Sequence, residues 1–191
     1  MKSHPDTSMG EIHYPPPVKP ICAILFSESV SLDPVIERLE SLLGRIDLKS
    51  DVYPFLFTDY YSTKMKLPLK KFFVSFGDLM ERERLPEIKK RTNELEDEFS
   101  EEEKGKRLRL VNLDPGYIGR SKLVLASTKN FSHRIYLGGG IFAEVTLVYT
   151  KGNFLSNPWT FKDYRTELAL FFFRRVRERY MAQLIHGRQD A

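Results

Sequence analysis

Cysteine is almost absent from this sequence, which has a single one, Cys22, among 191 residues. A disulfide framework within the chain is therefore excluded, as is usual for proteins of a reducing compartment. Long apolar runs are absent too, since none approaches the ~18 residues that a membrane helix needs. The amino terminus also lacks the apolar core of a signal peptide. We therefore expect a cytoplasmic protein without membrane contact, in which Cys22 is a small core residue.

The sequence has few histidines and lacks the common glycine-rich motifs that bind phosphate. The four histidines, His4, His13, His133 and His186, lie far apart in the sequence and form no cluster with metal-ligand spacing. Neither G-x-x-x-x-G-K-[ST] nor G-x-G-x-x-G occurs, so the two common phosphate-binding loops are excluded. We expect no metal and no resident cofactor.

What the sequence does contain is typical of a folded domain. Hydrophobic residues make up 41% and charged residues 29% of the chain, which separates it from disordered proteins. A chain of 191 residues can bury a full core as a single domain. We expect a flexible arm over residues 1–19, an α+β domain over residues 20–185 and a short tail over residues 186–191. The net charge of +4 is compatible with an anionic partner.

The order of the expected elements indicates the fold class. Apolar runs at ICAILFS, DVYPFLFT, KKFFVSF and RLRLVNL predict strands. Helical spacing predicts one helix that begins at Asp33 and another from Leu85 to Phe99. This is the ferredoxin-like order, an antiparallel sheet with helices on one face. The remainder predicts an added β-hairpin and a long C-terminal helix, and for residues 117–130, which can form helix or strand, we expect helix.

The stretch SHRIYLGGGIFAEVTLVY, residues 132–149, predicts the hairpin. If all three glycines form the loop, the apolar side chains share one inward face, Arg134 lies opposite Glu144, and Tyr136 lies opposite Phe142. Glycine supplies the positive φ that such loops need. Because a strand and not a helix follows, we expect the glycines to be structural and not a phosphate cradle. The Arg134–Glu144 pair alone can simply stabilise the sheet.

Two polar residues interrupt the apolar alternation of RLRLVNLDPGY. Asn112 and Asp114 follow two leucines on the same predicted face, where a buried polar group needs a partner. One interpretation is a ligand site at the end of the sheet. The other is local, with both side chains binding backbone groups of a turn at Pro115 and Gly116.

Basic and hydroxyl side chains follow at once in RSKLVLASTKNFSHR. Lys122, Lys129 and Arg134 suit a phosphate or carboxylate ligand, although such groups also occur on ordinary solvated faces. Histidine titrates near neutrality, so His133 and Asp114 are the candidates for an acid–base role. Nothing beside His133 in the sequence identifies an orienting partner for its ring.

Six stretches, in this order, resemble an uncharacterised prokaryotic family whose members are often labelled GTP-binding protein. They are TDYY, TNELEDEF, VNLDPGY, KLVLASTK, SHRIYLGGGIFAEVTL and PWTFKDYRTE, and the resemblance covers nearly all of residues 19–180. It implies no particular catalytic residues. LDPG is similar to the D-x-x-G element of GTPases at a different spacing, and the sequence has neither a P-loop nor an N-K-x-D motif.

These observations favour a site for an anionic small molecule, such as a nucleotide or a phosphorylated metabolite, with Tyr136 or Trp159 as a stacking surface. No reaction class follows from the residues. The alternative is an RNA- or protein-binding module that uses the sheet and the arginine-rich terminal helix, and a third hypothesis is a structural subunit without a ligand. The predicted ligand-binding residues are Asn112, Asp114, Lys122, Lys129, Arg134, Tyr136 and Glu144.

Overall fold

The computed structural model describes residues 12–57, 61, 64–103 and 105–186 of the chain. The expected arm over residues 1–19 and tail over residues 186–191 therefore lie mostly outside the described residues. Within these ranges the chain forms three helices, α1 (Asp33–Leu43), α2 (Leu85–Glu98) and α3 (Glu167–His186). The strands in the same ranges are β1 (Lys19–Ser27), β2 (Ile46–Lys49), β3 (Tyr53–Pro54), β4 (Leu69–Phe76), β5 (Ser100–Glu103), β6 (Lys106–Arg109), β7 (Val111–Ile118), β8 (Lys122–Ser127), β9 (Ile135–Gly138), β10 (Ile141–Thr150) and β11 (Asn153–Ser156).

Most of the strands join one antiparallel sheet. Its order is β11-β10-β8-β7-β1-β4-β2, with β3 beside β4 and β9 beside β10. The four strands β7-β1-β4-β2, with α1 and α2 as the connections, have the ferredoxin-like order, so the predicted α+β fold is confirmed. β8, β10 and β11 extend the sheet beyond β7, and β5 and β6 form a separate two-stranded hairpin.

Helices cover both faces of the sheet. All nine residues of β1 are buried, so the side chains on either face of this strand need a cover. α1 and α2 pack on one face, where Val35, Leu39 and Ile88 belong to the core. α3 packs on the opposite face through Phe172 and Val176, and neither it nor another helix in the described ranges is long and apolar enough to cross a membrane. The one-face arrangement thus holds for α1 and α2, whereas α3 forms a third layer.

Residues 117–130, for which the sequence favours helix, contain the end of β7 and the whole of β8 instead. β8 occupies Lys122–Ser127 and pairs with β10 along its length. Its central residues, Leu123 to Ala126, are all buried because the sheet is covered on both faces. A short run that is apolar throughout has no periodicity that separates helix from strand, which explains the wrong prediction.

The turn considered at Pro115 and Gly116 does not form. β7 continues through both residues, which pair with Cys22 and Ile21 of β1. Gly116 permits the close approach of β8, because a Cβ at this position would lie 2.2 Å from the carbonyl oxygen of Val124. The local interpretation of the two polar residues before this point, as fasteners of a turn, is therefore wrong.

The glycine hairpin has the predicted pairing, and its predicted inward face is formed on β10 by Ile141, Ala143 and Val145 but not on β9. Tyr136 pairs with Phe142, and the three glycines from 138 to 140 have φ values of 98°, 59° and 82°. Ile135, expected to face inward, is 71% exposed, because β9 lies at the edge of the sheet. Glu144, expected on the polar outer face, is 2% exposed. The hairpin therefore buries a carboxylate at its base and exposes apolar side chains near its tip.

Candidate functional site

The sheet opens between β7 and β8. The two strands pair over Gly116–Ile118 and separate towards Leu113, whose backbone is bound by side chains of α2. Lys89 Nζ donates to the carbonyl oxygen of Leu113 at 2.7 Å, and the Leu113 N–H donates to Glu96 Oε1 at 2.7 Å. Two side chains thus replace the ladder bonds of a neighbouring strand, which leaves room for a cleft beside β7.

A charged network surrounds these two α2 side chains. Arg109, from β6, donates to the second oxygen of Glu96, and Lys89 Nζ lies 3.8 Å from both Glu96 and Asp114. Burial raises the pKa of Glu96, against the opposing effects of Lys89 and the Leu113 N–H. The cations and the one backbone donor around Glu96 therefore offset part of the cost of burying a carboxylate here.

The resulting cleft has a volume of about 750 Å³. It is bounded by β7 and α2 on one side and by the end of β8 with the following residues 128–134 on the other. Residues 158–165, which lead into α3, and the aromatic residues Phe55, Phe57 and Tyr61 complete its walls. This volume is typical of sites for small molecules and cofactors.

The two polar residues of β7 lie on the floor of the cleft. Asn112 Nδ2 donates to Asp114 Oδ2 at 3.1 Å, and Arg109 Nη1 donates to Asn112 Oδ1 at 3.3 Å. Asn112 is buried, whereas the Asp114 side chain is 30% exposed. Asp114 thus presents a carboxylate to the cleft from the middle of a strand, where the backbone fixes its position.

A buried ion pair lies at the end of the cleft that is farthest from solvent, which we call the inner end. Lys71 Nζ donates to Asp163 Oδ2 at 2.6 Å, and both side chains are 5% exposed. The ammonium group also lies 5.3 Å from the ring centroid of Phe55 and 5.0 Å from that of Tyr164. These rings add cation–π stabilisation to the pair.

Arg134 is anchored on the opposite wall of the cleft. Its Nε donates to Glu144 Oε2 at 2.8 Å, which is the predicted cross-strand pair. Nη1 donates to Ser127 Oγ at 3.0 Å and to the carbonyl oxygen of Lys129 at 2.9 Å. Glu144 does not face the cleft itself, and its carboxylate instead holds Arg134 and accepts a hydrogen bond from Thr146. Arg134 and Lys129 are therefore lining residues, and Glu144 supports one of them.

His133 has an orienting partner that the sequence does not reveal. Its Nε2 lies 3.2 Å from Glu144 Oε2, and its ring stacks on Trp159 with centroids 4.8 Å apart and planes inclined by 8°. Trp159 lines the cleft and donates through Nε1 to the carbonyl oxygen of Val145 at 3.0 Å. The histidine ring thus supports the indole that faces the cleft.

Two of the predicted ligand residues lie elsewhere. Lys122 begins β8 at the end opposite Ser127, beyond the paired region with β7. Tyr136 is exposed on β9, where its ring contacts Phe142 at 5.1 Å and its hydroxyl accepts the Gly140 N–H at 3.3 Å. The structure therefore brings Asn112, Asp114, Lys129 and Arg134 together but separates Lys122 and Tyr136 from them.

Five buried lining residues with titratable side chains escape prediction from the sequence. Lys89 and Glu96 occur in a helix with many charged residues and resemble its solvated face, although both are buried. Lys71 occurs in an apolar strand, and its partner Asp163 is 92 positions away. Tyr164, next to that aspartate, is the fifth. The available signal was a lysine inside the apolar run KKFFVSF, because a charge there needs a buried partner.

Metal binding finds no support in this arrangement. Among the described residues, no group of three or more histidine, cysteine, aspartate and glutamate side chains has the geometry of a metal site. The carboxylates of the cleft are instead matched with lysine and arginine side chains.

Residues 16–180 match the family described as a domain of unknown function, DUF4416. This match spans most of the chain, so the protein belongs to that family. The resemblance to an uncharacterised family, which the sequence motifs indicated, is confirmed. No curated protein and no solved structure matches the chain.

Proposed function

We propose that the protein binds an anionic small molecule, such as a nucleotide or a phosphorylated metabolite, in the cleft between β7 and β8. The observation that carries this proposal is the excess of cations along the cleft. Counted over the described residues, seven cationic side chains and three carboxylates line it. The cations are Lys71, Lys89, Arg109, Lys129, Arg134, Lys162 and Arg165, and the carboxylates are Glu96, Asp114 and Asp163.

The excess positive charge lies at the mouth of the cleft. The three carboxylates balance the three inner cations, which include the buried Lys71 and Lys89. The other four cations are exposed or half-buried, and Arg134 has a carboxylate partner outside the lining. Lys162 and Arg165 therefore supply the attraction for an anionic group at the mouth.

Aromatic walls suit the organic part of such a ligand. Trp159, Tyr61 and Phe57 line the cleft, and Trp159 is held rigidly by its hydrogen bond to Val145 and by the stacked ring of His133. A preorganised ring offers a stacking surface without a large loss of side-chain entropy on binding. A base or another flat group fits this combination of rings and cations.

The RNA alternative has less support, because the arginines of α3 are engaged within the chain. Arg177 lies over the Tyr149 ring at 3.5 Å, Arg179 donates to the carbonyl oxygen of Asp47 at 3.1 Å, and Arg174 donates to Asn153 Oδ1 at 3.3 Å. Three of the four arginines on this helix thus stabilise its docking on the sheet. We therefore favour the cleft.

A melting-temperature screen with nucleotides and phosphorylated metabolites tests the proposal. A ligand at ~100 times its Kd stabilises the folded state by roughly 2.7 kcal/mol, which gives a clear increase in Tm. Lys162→Gln removes one cation from the mouth and should weaken binding and make it less sensitive to salt. Lys106→Gln, an exposed lysine on β6, is the matched control and should bind like the wild type. An equal loss of affinity in both variants, or no increase in Tm with any compound, would contradict the proposal.

A further inference from the structure

The cleft contains a hydrogen-bond donor that none of the described residues accepts from. Tyr164 is 1% exposed and lines the cleft, yet its hydroxyl has no hydrogen-bond partner within the part of the chain that the structure describes. Buried hydroxyls nearly always have a partner, because an unpaired one has lost its hydration without compensation. A buried and unused donor on the wall of a cleft is a group available to a ligand.

A hydrogen-bond acceptor, the carboxylate of Asp114, lines the same cleft as this donor. Burial, and after it the negative charges of Asp114 and Asp163, raises the pKa of Tyr164 well above its ordinary value, so the hydroxyl stays neutral. Asp163 is engaged by Lys71 at 2.6 Å. Asp114 Oδ1 is 3.8 Å from Lys89, which is an ion pair but too long for a hydrogen bond. Asp114 therefore keeps accepting capacity on the floor of the cleft.

We infer that the inner end of the cleft binds a neutral polar group that both accepts and donates a hydrogen bond, such as a sugar hydroxyl or the amide edge of a base. The group accepts from the Tyr164 hydroxyl and donates to the Asp114 carboxylate. This assignment rests on the proposed function, because the anionic end of the same ligand lies at the mouth. The cations at the inner end, Lys71 and Lys89, are already matched with carboxylates, so no excess positive charge attracts a second anion there. The ligand class is therefore a sugar or nucleoside monophosphate rather than inorganic phosphate or a compound with an anion at each end.

Tyr53 offers a matched control for Tyr164. Its hydroxyl is also buried and unpartnered in the described ranges. Burial raises its pKa as well, followed by the charge of Asp163. Tyr53 is not among the residues that line the cleft, so removal of its hydroxyl leaves the ligand site unchanged.

Calorimetric titration of the full chain with AMP, GMP, ribose 5-phosphate, glucose 6-phosphate and inorganic phosphate tests the assignment. At least one of the four organic monophosphates should bind about tenfold more tightly than inorganic phosphate, because it gains the inner hydrogen bonds. Tyr164→Phe should weaken the affinity for that organic monophosphate about tenfold and leave the affinity for inorganic phosphate unchanged. Tyr53→Phe should alter neither affinity. Without ligand, Tyr164→Phe should unfold in urea at the wild-type midpoint or above it.

The possible outcomes distinguish a failure of this assignment from a failure of the proposed function. Equal affinities for organic and inorganic phosphate, or an organic ligand whose affinity Tyr164→Phe does not change, would overturn this assignment while the proposed function stands. If unliganded Tyr164→Phe unfolds at clearly lower urea than Tyr53→Phe, the hydroxyl serves the fold, and the assignment is wrong. If none of the five compounds binds although the Tm screen gives a hit, this assignment is wrong and the proposed function stands. If the screen gives no hit either, both fail.

Discussion

The backbone N–H of Leu113 donates to the carboxylate of Glu96 at 2.7 Å, at the point where β7 leaves β8. A side chain of α2 therefore holds the position that a neighbouring strand holds elsewhere in the sheet. Lys89 completes the replacement through its bond to the Leu113 carbonyl. Because these backbone groups are satisfied, the sheet can remain open beside Asp114 without leaving buried polar groups unpaired.

Loss of the Glu96 carboxylate should destabilise the protein strongly. Glu96→Ala leaves the Leu113 N–H without its acceptor and removes a counter-charge from Arg109 and from the buried Lys89. We expect the free energy of unfolding to fall by about 3 kcal/mol, the usual cost of removing one member of a buried pair. Urea unfolding measures this change. Glu94→Ala, an exposed carboxylate on the same helix, should change stability by less than about 0.5 kcal/mol.

The contact of β7 with β8 at Gly116 should not tolerate a side chain. A Cβ there would meet the Val124 carbonyl oxygen at 2.2 Å and the Leu125 side chain at 2.7 Å. Gly116→Ala should therefore cost at least about 2 kcal/mol, since the backbone of a paired strand must move. Gly119→Ala is the control, because the nearest atom to its Cβ is 3.8 Å away. Similar melting of the two variants would show that the strands are not as close as described.

The acid stability of the protein should depend on Asp47. The fully buried Lys19 donates to Asp47 Oδ2 at 2.6 Å, and Ser75 donates to Asp47 Oδ1 at 2.6 Å. Burial alone would raise the pKa of Asp47, but these hydrogen bonds and the charge of Lys19 more than offset burial and lower it below 3.8. The Asp47 contribution is therefore fully present above the unfolded pKa and is lost as the pH falls through the folded pKa.

Asp47→Asn should remove this dependence. At pH 7 the variant should be less stable by about 3 kcal/mol, because the buried Lys19 loses its counter-charge. The difference from the wild type should shrink as the pH is lowered below 3.8, where the wild-type carboxylate becomes protonated. Urea unfolding between pH 7 and pH 2 checks this, with Asp51→Asn as an exposed control. A difference that stays constant with pH would rule out this role for Asp47.

The parts of the fold that local pattern determines were predictable. α2 was expected from Leu85 to Phe99 and runs over Leu85–Glu98, because a proline in the first turn and regularly spaced apolar residues specify it locally. The ferredoxin-like order of strands and helices was predictable for the same reason. β8 was not predictable, since its apolar run fits a buried helix equally well until the helices on both faces of the sheet are known.

The candidate site was predictable where a polar residue disturbs an apolar pattern and where basic side chains cluster in the sequence, as Lys129 and Arg134 do. Asn112 and Asp114 stand out for the first reason, and the structure places both in the cleft. Lys71 and Asp163 belong together only because β4 and the segment before α3 meet in space, 92 positions apart in the chain. The two members of such a pair are too far apart in the sequence to be recognised as partners, so sequence reasoning misses the inner end of the cleft.

A crystal structure of the protein with the phosphorylated compound that gives the largest increase in Tm tests the central claim most directly. The phosphate should lie at the mouth of the cleft, within hydrogen-bond distance of Lys129, Lys162 or Arg165. The organic part should extend between β7 and β8 towards Asp114. Binding at another place, such as the groove between α3 and β2 that Lys49 and Arg175 line, would contradict the account.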